Sequence, residues 1–271
     1  LERIRLAIDA GEFVLHYQPK VNMRTGKIVG AEALIRWQHP EQGLLAPGLF
    51  LPVIEDHPLT VEVGEWVTRQ ALYQSQAWRA LGLNLPVSIN VSARQIQQRD
   101  FVARLQAILA EYPDVQPGSL ELEILETSAL EDVEVVSNVI KACRTLGVNF
   151  ALDDFGTGYS SLTYLKRLPV TLIKIDQSFV SDMLDDQDNL LILQGVIDLA
   201  KTFHREVMAE GVETVAHGTA LLQMGCELAQ GYGIDPRNVV GGDEAPAPGG
   251  DSPPRITTQA QYNELASGAP Y

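Results

Sequence analysis

The sequence predicts an α/β barrel, eight strands alternating with helices in one large domain. Three observations predict it. Short runs rich in Val, Ile and Leu alternate with segments of helical periodicity from the start to near residue 235. The eight runs fall within about 230 residues, which favours closure into a barrel over an open sheet. A polar or charged residue interrupts or ends nearly every run, on the face where such barrels build their sites.

The strand candidates are Phe13–Gln18, Ile28–Arg36, Pro86–Val91, Leu120–Leu125, Val148–Asp153, Thr171–Ile175, Glu206–Ala209 and Glu227–Tyr232. Helices are expected over Thr60–Leu81, Ala93–Glu111, Asp132–Leu146, Asn189–Phe203 and Val215–Met224. Asp132 and Thr214 have the chemistry of helix starts, and Gly147 and Gly225 sit where a helix end wants a left-handed residue. From Pro236 onward Pro, Gly, Asp and Glu crowd the chain, so 1–235 is read as the barrel and 236–271 as a flexible tail with a weakly helical piece, Thr258–Ala266.

The formal net charge of −15 argues against a nucleic-acid polymer as partner, which needs a basic stripe. It is compatible with a phosphate-bearing small molecule if bound divalent cations reverse the local field. Cys143 and Cys226 form no CxxC pair and read as buried thiols in a reducing, cytoplasmic setting. No apolar run approaches the length of a membrane span, so no membrane contact is expected from this segment. The five histidines lack paired ligand spacing, and the sequence holds no HExxH, GxSxG or Walker loop. Asp154-Phe155-Gly156 spells a kinase-like triplet without the loops a kinase needs.

One charged residue at a strand end is usually a helix cap or a solvated edge. Here Glu32, Asn90, Glu123, Asp153, Asp154, Lys174, Asp176, Glu210 and Gln230 recur at successive ends. Carboxylates converging on one mouth repel each other and are driven toward protonation; divalent cations relieve this, and all-oxygen ligands suit Mg²⁺ or Mn²⁺. Asp153 and Asp154, adjacent, could serve two ions, and paired ions promote in-line displacement at phosphorus.

The motifs resemble those of the EAL-domain family. Glu32-Ala33-Leu34 stands within Glu32-Ala33-Leu34-Ile35-Arg36-Trp37, and further blocks follow in family order: Tyr17-Gln18-Pro19, Ser88-Ile89-Asn90-Val91-Ser92, Glu121-Leu122-Glu123-Ile124, the run Asp153 to Leu162, Ile173 to Val180, Ala209-Glu210-Gly211-Val212-Glu213 and Gln230-Gly231-Tyr232. The resemblance covers residues 1–234 and implies a modified TIM barrel whose first strand is antiparallel. It implies a cyclic-di-GMP-specific phosphodiesterase yielding linear pGpG with two Mg²⁺ or Mn²⁺ ions, inhibited by Ca²⁺, and a homodimer through the region after the sixth strand. By the same resemblance Glu32, Asn90, Glu123 and Asp153 hold the first ion, and Asp153, Asp154 and Glu210 the second. Lys174 holds the attacking water. Gln18, Leu34, Arg36, Asp176, Glu213 and Gln230 fall at substrate-contacting positions, and Glu126 anchors the glycine loop after Asp154. A catalytically inactive cyclic-di-GMP receptor or interaction module is the alternative, although such relatives typically lose ligands that are all present here.

Two places depart from the family pattern. Leu125 replaces a usual Thr. The segment after Tyr232 runs into the Pro/Gly-rich tail rather than into a turn and closing helix, which puts the final helix and the packing of the eighth strand in doubt.

Overall fold

The structure, a computed structural model, describes residues 1–157 and 162–231. The expected tail 236–271, the piece Thr258–Ala266, Tyr232 and the loop residues Gly158–Ser161 lie outside the described residues.

The chain opens with helix α1 (Glu2–Asp9), the hairpin β1 (Phe13–Asn22) and β2 (Lys27–His39), and a short strand β3 (Gly43–Leu45). Helix α2 (Leu59–Ala80) leads to β4 (Val87–Asn90), then α3 (Ala93–Ile96) and α4 (Phe101–Ala110). The middle of the chain is β5 (Leu120–Leu125), α5 (Glu126–Glu131), α6 (Val133–Thr145) and β6 (Asn149–Phe155), followed by α7 (Leu162–Arg167) and β7 (Leu172–Ile175). Last come α8 (Gln177–Ser181), α9 (Gln187–Thr202), β8 (Glu206–Ala209), α10 (Val215–Met224) and β9 (Leu228–Ala229).

The hydrogen-bonded order is β1-β9-β8-β7-β6-β5-β4-β2-β3, and β1 also pairs with β2, so the sheet closes on itself with β3 as an outside flap. Strands β2 and β4 to β9 run parallel, while β1 is antiparallel to both its neighbours. This is the expected modified (β/α)8 barrel with an antiparallel first strand. The two sides of β1 are unequal. Against β2 it pairs from Phe13 to Asn22, whereas against β9 only Val21 and Asn22 pair, with Ala229 and Leu228.

Alternation decides which side chains enter the lumen. In β5, Leu120, Leu122 and Ile124 are buried outward in the main core, and Glu121 and Glu123 point inward. In β2, Ala31, Ala33, Ile35 and Trp37 pack outward, leaving Glu32, Leu34 and Arg36 on the lumen face. Helix α2 presents Leu59, Val63, Val67, Ala71 and Trp78 to the barrel wall, with Trp78 edge-on to Tyr17 at 4.9 Å. Barrel lumens are ordinarily filled by layers of branched apolar residues. Here Ala151, Leu172 and Met208, with Leu228, fill one part, while Lys20, Ser88 and Glu121 fill another with polar contacts.

Most caps are where the sequence puts them. Asp132 accepts a hydrogen bond from the Val135 N–H and Thr214 from the His217 N–H; Gly147 and Gly225 adopt positive φ. The expected helix 93–111 is two helices, because Ser92 closes a capping box with Gln95 on α3 and the chain restarts at Phe101. The first strand runs past its expected end at Gln18, since Pro19 pairs with Ala31 within it. Both cysteines are buried and unpaired. Among the described residues no helix is long and apolar enough to cross a membrane.

Candidate metal centre

The site is built from strand ends that the register brings level. Gln18 lies opposite Glu32 across β1 and β2, Asn90 opposite Glu123, and Leu125 opposite Asp153. Asn90 donates to Glu32 Oε1 at 2.7 Å, and Gln230 Nε2 donates to Glu32 Oε2 at 2.6 Å and to Gln18 Oε1 at 3.0 Å. At the centre stands Lys174, 1 % exposed. Its Nζ lies 2.6 Å from Glu123, 2.7 Å from Glu210, 3.0 Å from Asp153 and 3.4 Å from Glu32. Glu32, 142 positions from Lys174 in the chain, is thus brought to the same ammonium group as the other three acids.

Two consecutive strand residues ordinarily face opposite sides of a sheet, so the pair Asp153-Asp154 requires a local device. The β6–β7 register shifts between Leu152 and Phe155, placing Leu152 opposite Ile173 and Phe155 opposite Ile175. Within this bulge Asp154 has φ 52°, a left-handed conformation that Asp tolerates better than most residues. Both carboxylates therefore reach the mouth, and oxygens of Asp153, Asp154 and Glu210 all lie within 4.8 Å of one another.

The loop that follows is anchored by Glu126, which is buried and accepts the Gly156 N–H on Oε2 at 2.9 Å. Gly156 has φ 104°, and a Cβ there would approach the Phe179 ring to 2.8 Å, so no larger residue fits.

Electrostatics divides the carboxylates. Burial would raise Glu123, but Lys174 and Lys20 outweigh it and bring it down to about 2. Burial pushes Asp153 up to about 8, with Lys174 opposing and Glu123, Glu210 and Glu32 adding to the rise. Burial also raises Glu210 and Asp154, the latter helped by Asp176. Burial disfavours charge on Lys174, yet Glu123, Glu32, Asp153 and Glu210 hold it protonated well above the ordinary lysine value. Bound cations are expected to lower its proton affinity; the carboxylates themselves act in the opposite direction.

These residues fit a hard divalent cation. The donors are oxygens, and Asp153 Oδ1 is buried without a hydrogen bond among the described residues, Lys174 approaching it as an ion-pair partner.

The outer candidates are less gathered. Leu34 and Arg36 climb the lumen face of β2 above Glu32, and Arg36 donates to the Ile35 carbonyl at 2.9 Å. Asp176 caps α8, accepting the Ser178 N–H at 3.0 Å. Glu213 is exposed on the loop between β8 and α10. Sequence reasoning passed over Lys20, which is 4 % exposed and bonded to Ser88, Glu121 and Glu123. Its signal was present: it follows Gln18 by two on the same face, hidden by ending the strand at Pro19.

A family model described as the EAL domain matches residues 1–236. The bifunctional diguanylate cyclase/cyclic di-GMP phosphodiesterase MucR of Pseudomonas aeruginosa is 39% identical over 233 residues, 86% of this chain and 34% of MucR. A cyclic di-GMP phosphodiesterase of the same organism is 40% identical over 220 residues, 81% of this chain and 37% of its own length. The chain thus spans little more than a third of these curated relatives. Among solved structures, the PaMucR phosphodiesterase in complex with c-di-GMP superposes with a TM-score of 0.82 at 38% identity, covering 86% of this chain and 94% of that one. The EAL domain of Mycobacterium smegmatis DcpA gives 0.70 at 39%, covering 81% and 90%.

Proposed function

The chain belongs to the EAL domain family, and we propose that its acidic mouth hydrolyses cyclic di-GMP to linear pGpG with two Mg²⁺ or Mn²⁺ ions. The observation that carries the reading is the clustering of Asp153, Asp154 and Glu210 within 4.8 Å at the barrel mouth, with a buried Asp153 oxygen whose close partner is the Lys174 ammonium. The name of the MucR complex supplies the substrate class.

In this reading Glu32, Asn90, Glu123 and Asp153 would hold the first ion, and Asp153, Asp154 and Glu210 the second. When bound, the ions supply Lewis-acid polarisation of the phosphodiester and acidify an attacking water. The chain's own groups do the rest. Lys174, held as an ammonium by its four carboxylate neighbours, orients that water through Nζ. Gln230 fixes Glu32 through Oε2 and ties it to Gln18. Arg36 offers a planar fork to a non-bridging phosphate oxygen. Asp176 and Glu213 accept from the N1–H and exocyclic amine of guanine, and Leu34 lines the approach. Glu126 keeps the loop after Asp154 in position through the Gly156 N–H. A homodimer through the region after the sixth expected strand, Thr171–Ile175, which is β7 here, belongs to the same proposal.

The test is chromatography of cyclic di-GMP incubated with the protein and Mg²⁺ or Mn²⁺, with Ca²⁺ as a larger, flexibly coordinated control. The expected product is pGpG with either of the first two ions and none with Ca²⁺. Tight binding of cyclic di-GMP without pGpG under either ion would replace the enzyme by a receptor.

A further inference from the structure

Beneath the mouth, one lysine plays a part different from that of Lys174. Strand β1 runs against the others, so from Gln18, level with Glu32, it descends to Lys20, level with Gly30. Lys20 thus enters the lumen one step below the expected metal ligands. Its Nζ bonds Glu121 Oε1 at 2.8 Å, Glu123 Oε1 at 2.6 Å and the Ser88 hydroxyl, which in turn donates to Glu121 at 2.9 Å.

Glu123 is fully buried, and its two oxygens are divided between two ammonium groups. Oε1 is held from below by Lys20, and Oε2 is held by Lys174 at 2.6 Å. Lys174 also contacts Glu32, Asp153 and Glu210, so it occupies the region where these carboxylates converge and a cation would enter. The bond to Oε2 is therefore the one an incoming cation competes for. The bond to Oε1 lies outside that competition, because Lys20 is tied to Ser88 and Glu121 on the floor.

We propose that Lys20 is a positioning residue of the metal centre: it pins Glu123 by Oε1, keeps Oε2 facing the mouth, and so sets the affinity of the first cation without touching substrate. The proposal rests on the reading that this mouth binds divalent cations. Partners behind a ligating group typically govern metal affinity by about ten- to a hundredfold. Without Lys20, Glu123 loses its lower anchor and Lys174 remains its sole cation, which the incoming metal must then displace.

The test is a calorimetric titration of metal-free protein with Mn²⁺, in the absence of nucleotide. Lys20→Met is expected to raise the Mn²⁺ Kd by about ten- to a hundredfold. It also leaves the half-buried Glu121 carboxylate without its ammonium partner, so Lys20→Met/Glu121→Gln is made alongside. The double variant is expected to regain thermal stability while keeping the raised Kd. A Kd that returns to the wild-type value together with stability, or that never rises in a folded variant, overturns the proposal, leaving Lys20 a counter-ion for Glu121. If the single variant does not fold, the double variant decides. A wild-type protein that yields no pGpG but shows the Lys20-dependent Kd defeats the phosphodiesterase reading alone; one that binds no Mn²⁺ defeats both.

Discussion

Glu123 and Asp153 lie at the ends of neighbouring strands, two residues apart in register, yet burial and charge drive their carboxylates in opposite directions. Glu123 has an ammonium group on each oxygen and sits near 2 despite complete burial. Asp153 is buried beside Asp154 and Glu210, must share Lys174 with three other acids, and sits near 8. The difference shows where the protein supplies two positive charges to one acid and where it makes several acids share one. The β5 side of the mouth is compensated by Lys20 and Lys174. The β6 side, turned inward by the bulge at Asp154, is a set of oxygen donors whose Asp153 shares the single ammonium of Lys174 with Glu210.

The sharpest way to break this contrast is Asp153→Asn. The substitution keeps the shape and removes the charge shared by both expected ion sites. Turnover should fall by more than about a hundredfold, the upper end of what loss of a mere supporting partner costs. Thermal stability in chelator at pH 8 should stay level or rise, because a buried, poorly compensated carboxylate is gone. Turnover close to wild type would detach Asp153 from the chemistry.

The pH dependence sharpens it next. Asp153 is raised in the folded state, so its contribution to stability is full below the ordinary carboxylate range and is lost as pH rises to about 8. Glu123 is depressed, so its contribution is present above that range and is lost as pH falls to about 2. Metal-free protein should therefore lose stability progressively from about pH 4 to about pH 8, and Asp153→Asn should flatten that slope. Cation binding must displace the Asp153 proton, so Mn²⁺ affinity should climb with pH up to about 8, by as much as about tenfold per unit. Calorimetry in buffers of different protonation enthalpy would detect the released proton; a flat profile would place Asp153 on the already ionised side of the comparison.

How much of this contrast the sequence revealed differs between its two sides. The acids themselves were legible, because polar residues ending apolar runs betray strand ends, and the family blocks named them one by one. The inner lysine was not. Pro19 reads as a strand terminator, and only the pairing of Pro19 with Ala31 carries β1 on to Lys20. Nor was the bulge legible: Asp153-Asp154 reads as two adjacent acids, while their common direction depends on the register of β6 against β7. The break between α3 and α4 was missed because apolar periodicity continues across it, and the Ser92–Gln95 capping box is a local competitor that a period count ignores. Asp176, a strand-end acid at a position the resemblance gives to substrate, also caps α8 through the Ser178 N–H.

The smallest expected effect lies on the seam between the two sides. Leu125 pairs with Asp153 in the β5–β6 register, and is also the N-cap of α5, where its side chain makes no capping bond. It is 41% exposed, so little packing is lost by shortening it. Leu125→Thr places a hydroxyl at the N-cap of α5, where first-turn N–H groups have no intrahelical partner, and a capping oxygen there stabilises by about 0.5 kcal/mol or somewhat more. In a domain of this size that amounts to a rise of about 1–2 °C in Tm. Turnover should stay within about twofold, since surface changes of this kind leave buried ligands in place. Because α5 begins with Glu126, which holds the Gly156 N–H, the same variant asks whether capping tightens the loop after Asp154. A rise in Tm with unchanged turnover would keep the seam structural. A drop in both would mean that Leu125, rather than the bulge alone, helps set where Asp153 and Asp154 point.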